Sequence, residues 1–193
     1  MVQEDTLIIV DRHDRAVGSG PKMHVHEQGL LHRAFSIFVF DRHGRLMLQR
    51  RARTKYHSGG LWTNTCCGHP RAGEDLDAAA RRRLGEEMGF CCDLRNVGSF
   101  IYRADMQNGL IEHEYDHVYF GTFDGEPVSN PDEADEWRWI EQYRLLAWMQ
   151  DAPEDFTAWF RTIFSPSGEV AFDILELWPA PGRESAPRAR GLS

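Results

Sequence analysis

The sequence predicts a mixed α/β fold, with a sheet packed against helices. Three observations carry that expectation. Short runs rich in β-branched and aromatic residues recur along the chain, one sharply bounded helix stands near the middle, and helical patterning returns towards the C-terminal end.

The elements follow in order. Thr6-Leu7-Ile8-Ile9-Val10 reads as a strand closed by a turn at Asp11–Arg15. Phe35–Phe40 and Leu46–Arg50 flank Asp41-Arg42-His43-Gly44-Arg45 and read as a hairpin, with Gly44 where φ must be positive. Arg51–Gly60 is a polar loop ending in two glycines. Glu74–Met88 is the clearest helix: Glu74, Asp75 and Asp77 sit at its positive end and Gly89 stops it. Val97–Arg103, Tyr115–Phe123 and Trp137–Ile140 read as strands, and Gln142–Gln150 and Pro153–Phe164 as helices. From Pro179 the chain is rich in Pro, Arg, Gly and Ser. The expectation is one domain over 1–178 and a flexible tail over 179–193.

Composition narrows the function classes. A chain of 193 residues, 41% apolar and 27% charged, suits one globular domain. No apolar run approaches the roughly 20 residues of a membrane span. The acidic start, Met1-Val2-Gln3-Glu4-Asp5, lacks the pattern of a secretory signal, so the expected location is cytoplasmic. The four cysteines form two adjacent pairs, 66–67 and 91–92, a poor disulfide framework without zinc-site spacing. A net charge of −8 argues against nucleic acid as partner. Residues 1–100 hold 15 Lys and Arg against 12 Asp and Glu, a net of +3, while residues 101–193 carry a net of −11. The first half thus offers cations to an anion, and the second offers carboxylates. A monomer or weak dimer acting on a small molecule is expected.

The chemistry concentrates around the central helix. Arg83 and Glu87 are four residues apart and share a helix face. Beside a diphosphate, Glu87 can bind a hard divalent cation while Arg83 meets phosphate oxygens; a plain surface ion pair is the alternative. Ahead of the helix stands the turn Cys67-Gly68-His69-Pro70. His26, His32 and His69 supply imidazoles, and Glu112 and Glu114 share a face if 110–116 is extended. Three imidazoles and two carboxylates suit Mn2+, Mg2+ or Zn2+. His13, His43 and His57 fall in turn-like segments and read as solvated, and His113 and His117 point away from Glu112 and Glu114.

Residues 68–90 resemble the Nudix signature, Gly-x5-Glu-x7-Arg-Glu-U-x-Glu-Glu-x-Gly-U, where U is bulky and apolar. Gly68, Glu74, Arg82, Leu84, Glu86, Glu87, Gly89 and Phe90 fit; Arg83 stands where the signature has Glu. The runs Trp62–Pro70, His32–Ser36 and Glu112-His113-Glu114 look like the type I isopentenyl-diphosphate isomerases of that superfamily. The likeness covers roughly 5–165 and implies the Nudix fold, a mixed sheet sandwiched between α-helices. It implies interconversion of isopentenyl and dimethylallyl diphosphate by a proton shift, with metal-dependent diphosphate hydrolysis as the alternative. Cys67 and Glu114, assisted by Tyr102, become the proton-transfer residues. His26, His32, His69, Glu112 and Glu114 become ligands of one ion, with His24 competing with His26 for the first place. Glu87 becomes the ligand of a diphosphate-bridging Mg2+, and Cys67 a further candidate at the metal. Lys22, Arg51, Lys55 and Arg83 become diphosphate contacts. Trp62 and Trp159 become aromatic walls, or else ordinary core tryptophans.

Overall fold

The computed structural model describes residues 6–55, 57–165, 169–170 and 172–182. Its elements are β1 (Thr6–Val10), β2 (Ala16–Pro21), α1 (Lys22–Gln28), β3 (His32–Phe40), β4 (Leu46–Arg51), β5 (Trp62–Thr63) and β6 (Cys66–Gly68). They continue with α2 (Leu76–Met88), β7 (Leu94–Asp105), β8 (Ile111–Thr122), β9 (Ala134–Ile140), α3 (Gln142–Asp151), α4 (Ala158–Ile163), β10 (Glu169–Val170) and α5 (Ile174–Leu177).

The strand β3 is the hub. It runs parallel to β8 along its whole length, from His32↔Glu114 to Phe40↔Thr122, and antiparallel to β6 through Ser36↔Cys67. Beyond β8 the sheet continues antiparallel through β7 to β10. Alternation on β3 separates two cores. Phe35, Ile37 and Val39 pack with Ala79, Ala80, Leu84 and Met88 of α2, while Phe38 and Phe40 pack with Phe160 and Ile163 of α4 and Ile174 of α5. The sheet is therefore sandwiched between helices.

Local chemistry explains the boundaries. Asp75 caps α2, its carboxylate accepting from the Ala78 N–H at 2.9 Å, so the helix proper begins at Leu76. Gly89 ends it at φ 73°. The turn at Asp41–Arg45 forms with Gly44 at φ 71°, and the Asp41 carboxylate accepts the His43 and Arg45 amides at 2.9 and 2.8 Å. Yet β3 and β4 do not form the expected long hairpin. They pair only at Phe40↔Leu46, because β3 is taken by β8 and β6, and β4 turns away to pair with β9 and β5.

Three further differences stand out. β2, α1 and α5 were not expected. The helix expected over Pro153–Phe164 is broken: Phe156 and Thr157 are extended, and the Thr157 N–H donates to the Trp62 carbonyl at 3.0 Å. The first residues of the expected tail, 179–182, dock on the Asp41–Arg45 turn, where the Gly182 N–H donates to the Arg42 carbonyl at 2.9 Å. The rest of that tail, 183–193, lies outside the described residues. No described helix is long and apolar enough to cross a membrane.

Gly89 gives a direct test of this architecture. A Cβ there would adopt left-handed backbone and lie 2.5 Å from the Val128 carbonyl oxygen. Gly89→Ala should cost at least about 1–3 kcal/mol, seen as a lower urea midpoint with an unchanged slope. An unchanged midpoint would contradict the tight α2 terminus described here.

Candidate active site and metal centre

The site grows from one face of β8. Period two directs Glu112, Glu114 and Asp116 to the same side, and all three are buried. Register then supplies their neighbours. His32 on β3 and Tyr102 on β7 both pair with Glu114, so the three residues form one row across the sheet. Tyr102 donates its hydroxyl to Glu114 Oε2 at 2.6 Å.

Four imidazoles meet the carboxylates. His69 Nε2 lies 2.9 Å from Glu114 Oε1, and His26 Nε2 lies 3.1 Å from Glu112 Oε2. His32 Nε2 stands between them, 3.6 Å from Glu114 Oε1 and 3.9 Å from Glu112 Oε2. His57 Nε2 closes the other oxygen of Glu112 at 2.8 Å. Burial pushes the Glu112 carboxyl up, but His26 and His57 outweigh it and hold it well below the usual range. Burial and the charge of Glu112 push Glu114 up as well; His32 and His69 overcome both and keep it ionised. Burial pushes His69 down to about 4, so it is a neutral ring at ordinary pH.

This donor set fits a divalent cation. One ligand atom each from His26, His32, His69 and Glu112 lies within 4.8 Å of every other. His26 and His32 turn Nδ1 to the backbone carbonyls of Lys22 (2.7 Å) and Leu30 (2.9 Å), which directs Nε2 of each inward. His32 Nε2 is buried without a hydrogen-bond partner among the described residues, a lone pair left for an electrophile. His24 is exposed, so α1 presents His26.

Cys67 stands on the adjoining wall. Its partner across β3 is Ser36, whose hydroxyl donates to Asp116 Oδ2 at 2.7 Å. The Cys67 thiol donates to Asn64 Oδ1 at 3.1 Å. Burial and the neighbouring Asp116 and Glu87 push this thiol up to about 12, so it keeps its proton at neutral pH. Burial and Glu114 likewise raise Asp116 far above the usual range. Cys66 points the other way, into the core beneath α2.

Cys67, His57, His69, Tyr102, Glu112 and Glu114 line one cavity of about 230 Å3, and Lys22, Arg51, Lys55 and Arg83 give it a basic rim; His26, His32 and Asp116 are not among its lining residues. Arg83 is ion-paired with Glu87 and lies 3.3 Å from Glu133, which also pairs with Lys55. Glu87 is buried, accepts from Gln49 Nε2 at 3.1 Å, and is separate from the histidine cluster. Glu74 binds Arg82 through 2.7 and 2.8 Å contacts, a pairing that supports the fold. Trp159 walls the cavity, with the Arg51 guanidinium 5.2 Å from its ring.

Several expectations need correction. His57 is not solvated; it is buried against Glu112, because the 51–60 loop folds back over the cavity. Trp62 does not line the cavity. Its pairing with Arg50 sends the ring to the side of α3, 5.6 Å from Trp148 and under Arg138 at 4.1 Å. Cys67 sulfur rests on Asn64, and neither it nor Glu114 is part of the four-residue group whose ligand atoms converge; Glu114 adjoins that group through His69 at 2.9 Å. Sequence reading missed His57, Glu133 and Asp116. For Asp116 a signal existed, since the 112–114 alternation extends to 116.

Comparison with known proteins places this geometry in a class. Residues 30–160 match the NUDIX domain model. Two solved structures share the fold: DR0079 of Deinococcus radiodurans and a MutT protein of Methanosarcina mazei Go1. The first has a TM-score of 0.64 at 21% identity, covering 90% of this chain and 96% of that one. The second has 0.57 at 18%, covering 68% and 88%. Curated relatives are far more similar. Isopentenyl-diphosphate Delta-isomerase 2 of Photorhabdus laumondii is 54% identical over 91% of this chain and 97% of its own length. The isopentenyl-diphosphate Delta-isomerase of Burkholderia multivorans is 55% identical over 91% and 98%. The chain belongs to the Nudix family and, within it, to the isopentenyl-diphosphate Delta-isomerases.

The electrostatics of Cys67 can be read out chemically. With a thiol at about 12, only about one molecule in 10^5 carries the thiolate at pH 7. Iodoacetamide labelling mapped by mass spectrometry should mark exposed Cys91 first and Cys67 slowly. The Cys67 rate should then rise about tenfold per pH unit between pH 7 and 10. Equal labelling of both at pH 7 would contradict the half-buried, protonated thiol.

Proposed function

We propose that this protein interconverts isopentenyl diphosphate and dimethylallyl diphosphate by a 1,3-allylic proton shift. The observation that supports it best is the pairing, in one cavity, of a protonated Cys67 thiol with the ionised, hydrogen-bonded Glu114 carboxylate, beneath a basic rim. An unactivated alkene isomerises this way only if one group gives a proton to the terminal carbon and another removes one next to the tertiary centre. Cys67 on β6 and Glu114 on β8 are those two groups, and Tyr102 holds Glu114 in place. Trp159 presents an aromatic face to the positive charge that develops between them. The rim residues Lys22, Arg51, Lys55 and Arg83 anchor the diphosphate, which is bound and not cleaved.

A divalent ion, Mn2+, Mg2+ or Zn2+, held by His26, His32, His69, Glu112 and Glu114 would supply positive charge that sets the protonation of Glu114, and Mg2+ at Glu87 would neutralise the diphosphate. Arg83 weighs against hydrolysis: it stands where the Nudix signature has a glutamate, so the helix offers a diphosphate hydrolase one carboxylate fewer for metal and a guanidinium in its place. The protein is read as a single domain acting in the cytoplasm, a monomer or weak dimer at the start of isoprenoid supply. Its four free thiols accord with a reducing compartment.

Two measurements test the roles. With isopentenyl diphosphate and Mg2+, the wild type should form an isomer of unchanged mass. Cys67→Ala should lose at least about 10^2-fold in kcat while keeping its fold, and Cys66→Ala should retain most activity. Phosphate release matching or exceeding isomer formation would replace this reading with hydrolysis. Separately, Arg83→Ala should raise KM and leave kcat nearly unchanged, because it anchors ground and transition states alike. A kcat loss with constant KM would contradict the anchoring role.

A further inference from the structure

We infer that His57 is a positioning residue for the metal centre: its Nε2–H holds the outer oxygen of Glu112 so that the inner oxygen faces the ion. Glu112 has two oxygens with different neighbours. Oε2 faces His26 at 3.1 Å and His32 at 3.9 Å, on the ligand side. Oε1 faces His57 Nε2 at 2.8 Å. A carboxylate free to rotate could offer a small cation either oxygen or both. Fixing Oε1 from outside selects one-oxygen binding and removes that freedom before the ion arrives.

The setting of His57 suits this task. Its side chain is as buried as that of Glu112, both at 4% exposure. Its ring meets Trp159 edge-on at 6.0 Å, which limits tilting, and its Nδ1 lies 3.2 Å from the Ser58 hydroxyl. Its backbone carbonyl is 3.5 Å from an Arg51 guanidinium nitrogen. One residue thus joins the metal carboxylate, the aromatic wall and a diphosphate-anchoring arginine. His57 lies outside the group of four whose ligand atoms converge. It acts on the ion through Glu112.

This inference rests on the reading of the histidine cluster as a cation site, and the test separates the two. Full-length protein stripped with chelator is titrated with Mn2+, and free ion is counted by electron paramagnetic resonance. His57→Gln keeps an N–H near the Nε2 position and should bind Mn2+ as wild type does. His57→Phe keeps the ring against Trp159 but has no donor, and should bind roughly 10- to 100-fold more weakly while melting with the wild type. Should His57→Phe fail to fold, His57→Asn, whose amide falls short of Glu112, takes its place with the same expected loss. Wild-type affinity in the donor-less variant would overturn the inference. So would an equal loss in His57→Gln, which would make the residue mere packing. His32→Ala is the separate control: if it binds Mn2+ as tightly as wild type, the cluster is not the cation site, whatever the His57 variants do.

Discussion

Three carboxylates leave β8 on one face, at 112, 114 and 116, and all are buried. That constraint organises the rest of the site. Buried like charges two residues apart repel and lose solvation, and they survive only with partners supplied by the surrounding strands. The sheet supplies them by register. Imidazoles from α1, β3, the 51–60 loop and the turn after β6 surround Glu112 and Glu114. A tyrosine from β7 reaches Glu114, and a serine from β3 reaches Asp116. The solutions differ along the strand: Glu112 and Glu114 are held ionised, while Asp116 is driven towards its neutral form. The parallel pairing of β3 with β8 makes this gradient possible, because it brings His32 level with Glu114 and Ser36 within reach of Asp116.

The same face explains how one cavity can hold two opposite tasks. Its floor gathers anionic carboxylates beside imidazoles, and its rim gathers cations from α1, the end of β4, the loop after it and α2. An ion suits the floor and a diphosphate suits the rim. The Cys67 thiol sits between, on a strand paired directly to β3. The adjacent cysteines show how strand alternation separates chemistry from packing: Cys66 fills the core under α2, and Cys67 reaches the cavity.

Much of this was legible in the sequence, for identifiable reasons. Helix α2 announced itself through acidic capping residues and Gly89, since those signals are local. The Glu112–Glu114 face followed from period two alone. What escaped was set by long-range packing. The hairpin reading of 35–50 held at its turn, with Gly44 at positive φ, but pairing stops at Phe40↔Leu46 because β8 and β9 take up β3 and β4, and local sequence does not encode such competitors. His57 escaped because a polar loop reads as solvated, and only the folding of 51–60 over the cavity buries it. Trp62 was misplaced because an aromatic near the Cys67–Pro70 turn has two faces to choose from, and the short pairing of β5 with β4 sends it to α3.

On the reading proposed above, the buried carboxylates of β8 and the imidazoles around them form one cation centre beside Glu114. Anomalous diffraction from crystals grown with Mn2+ tests it most directly. An anomalous peak is expected within ligand distance, roughly 2.0–2.3 Å, of Nε2 of His26, His32 and His69 and of a Glu112 oxygen. Fully soaked crystals with no peak at this cluster, or with Mn2+ bound only among Glu86, Glu87 and Glu133, would contradict it.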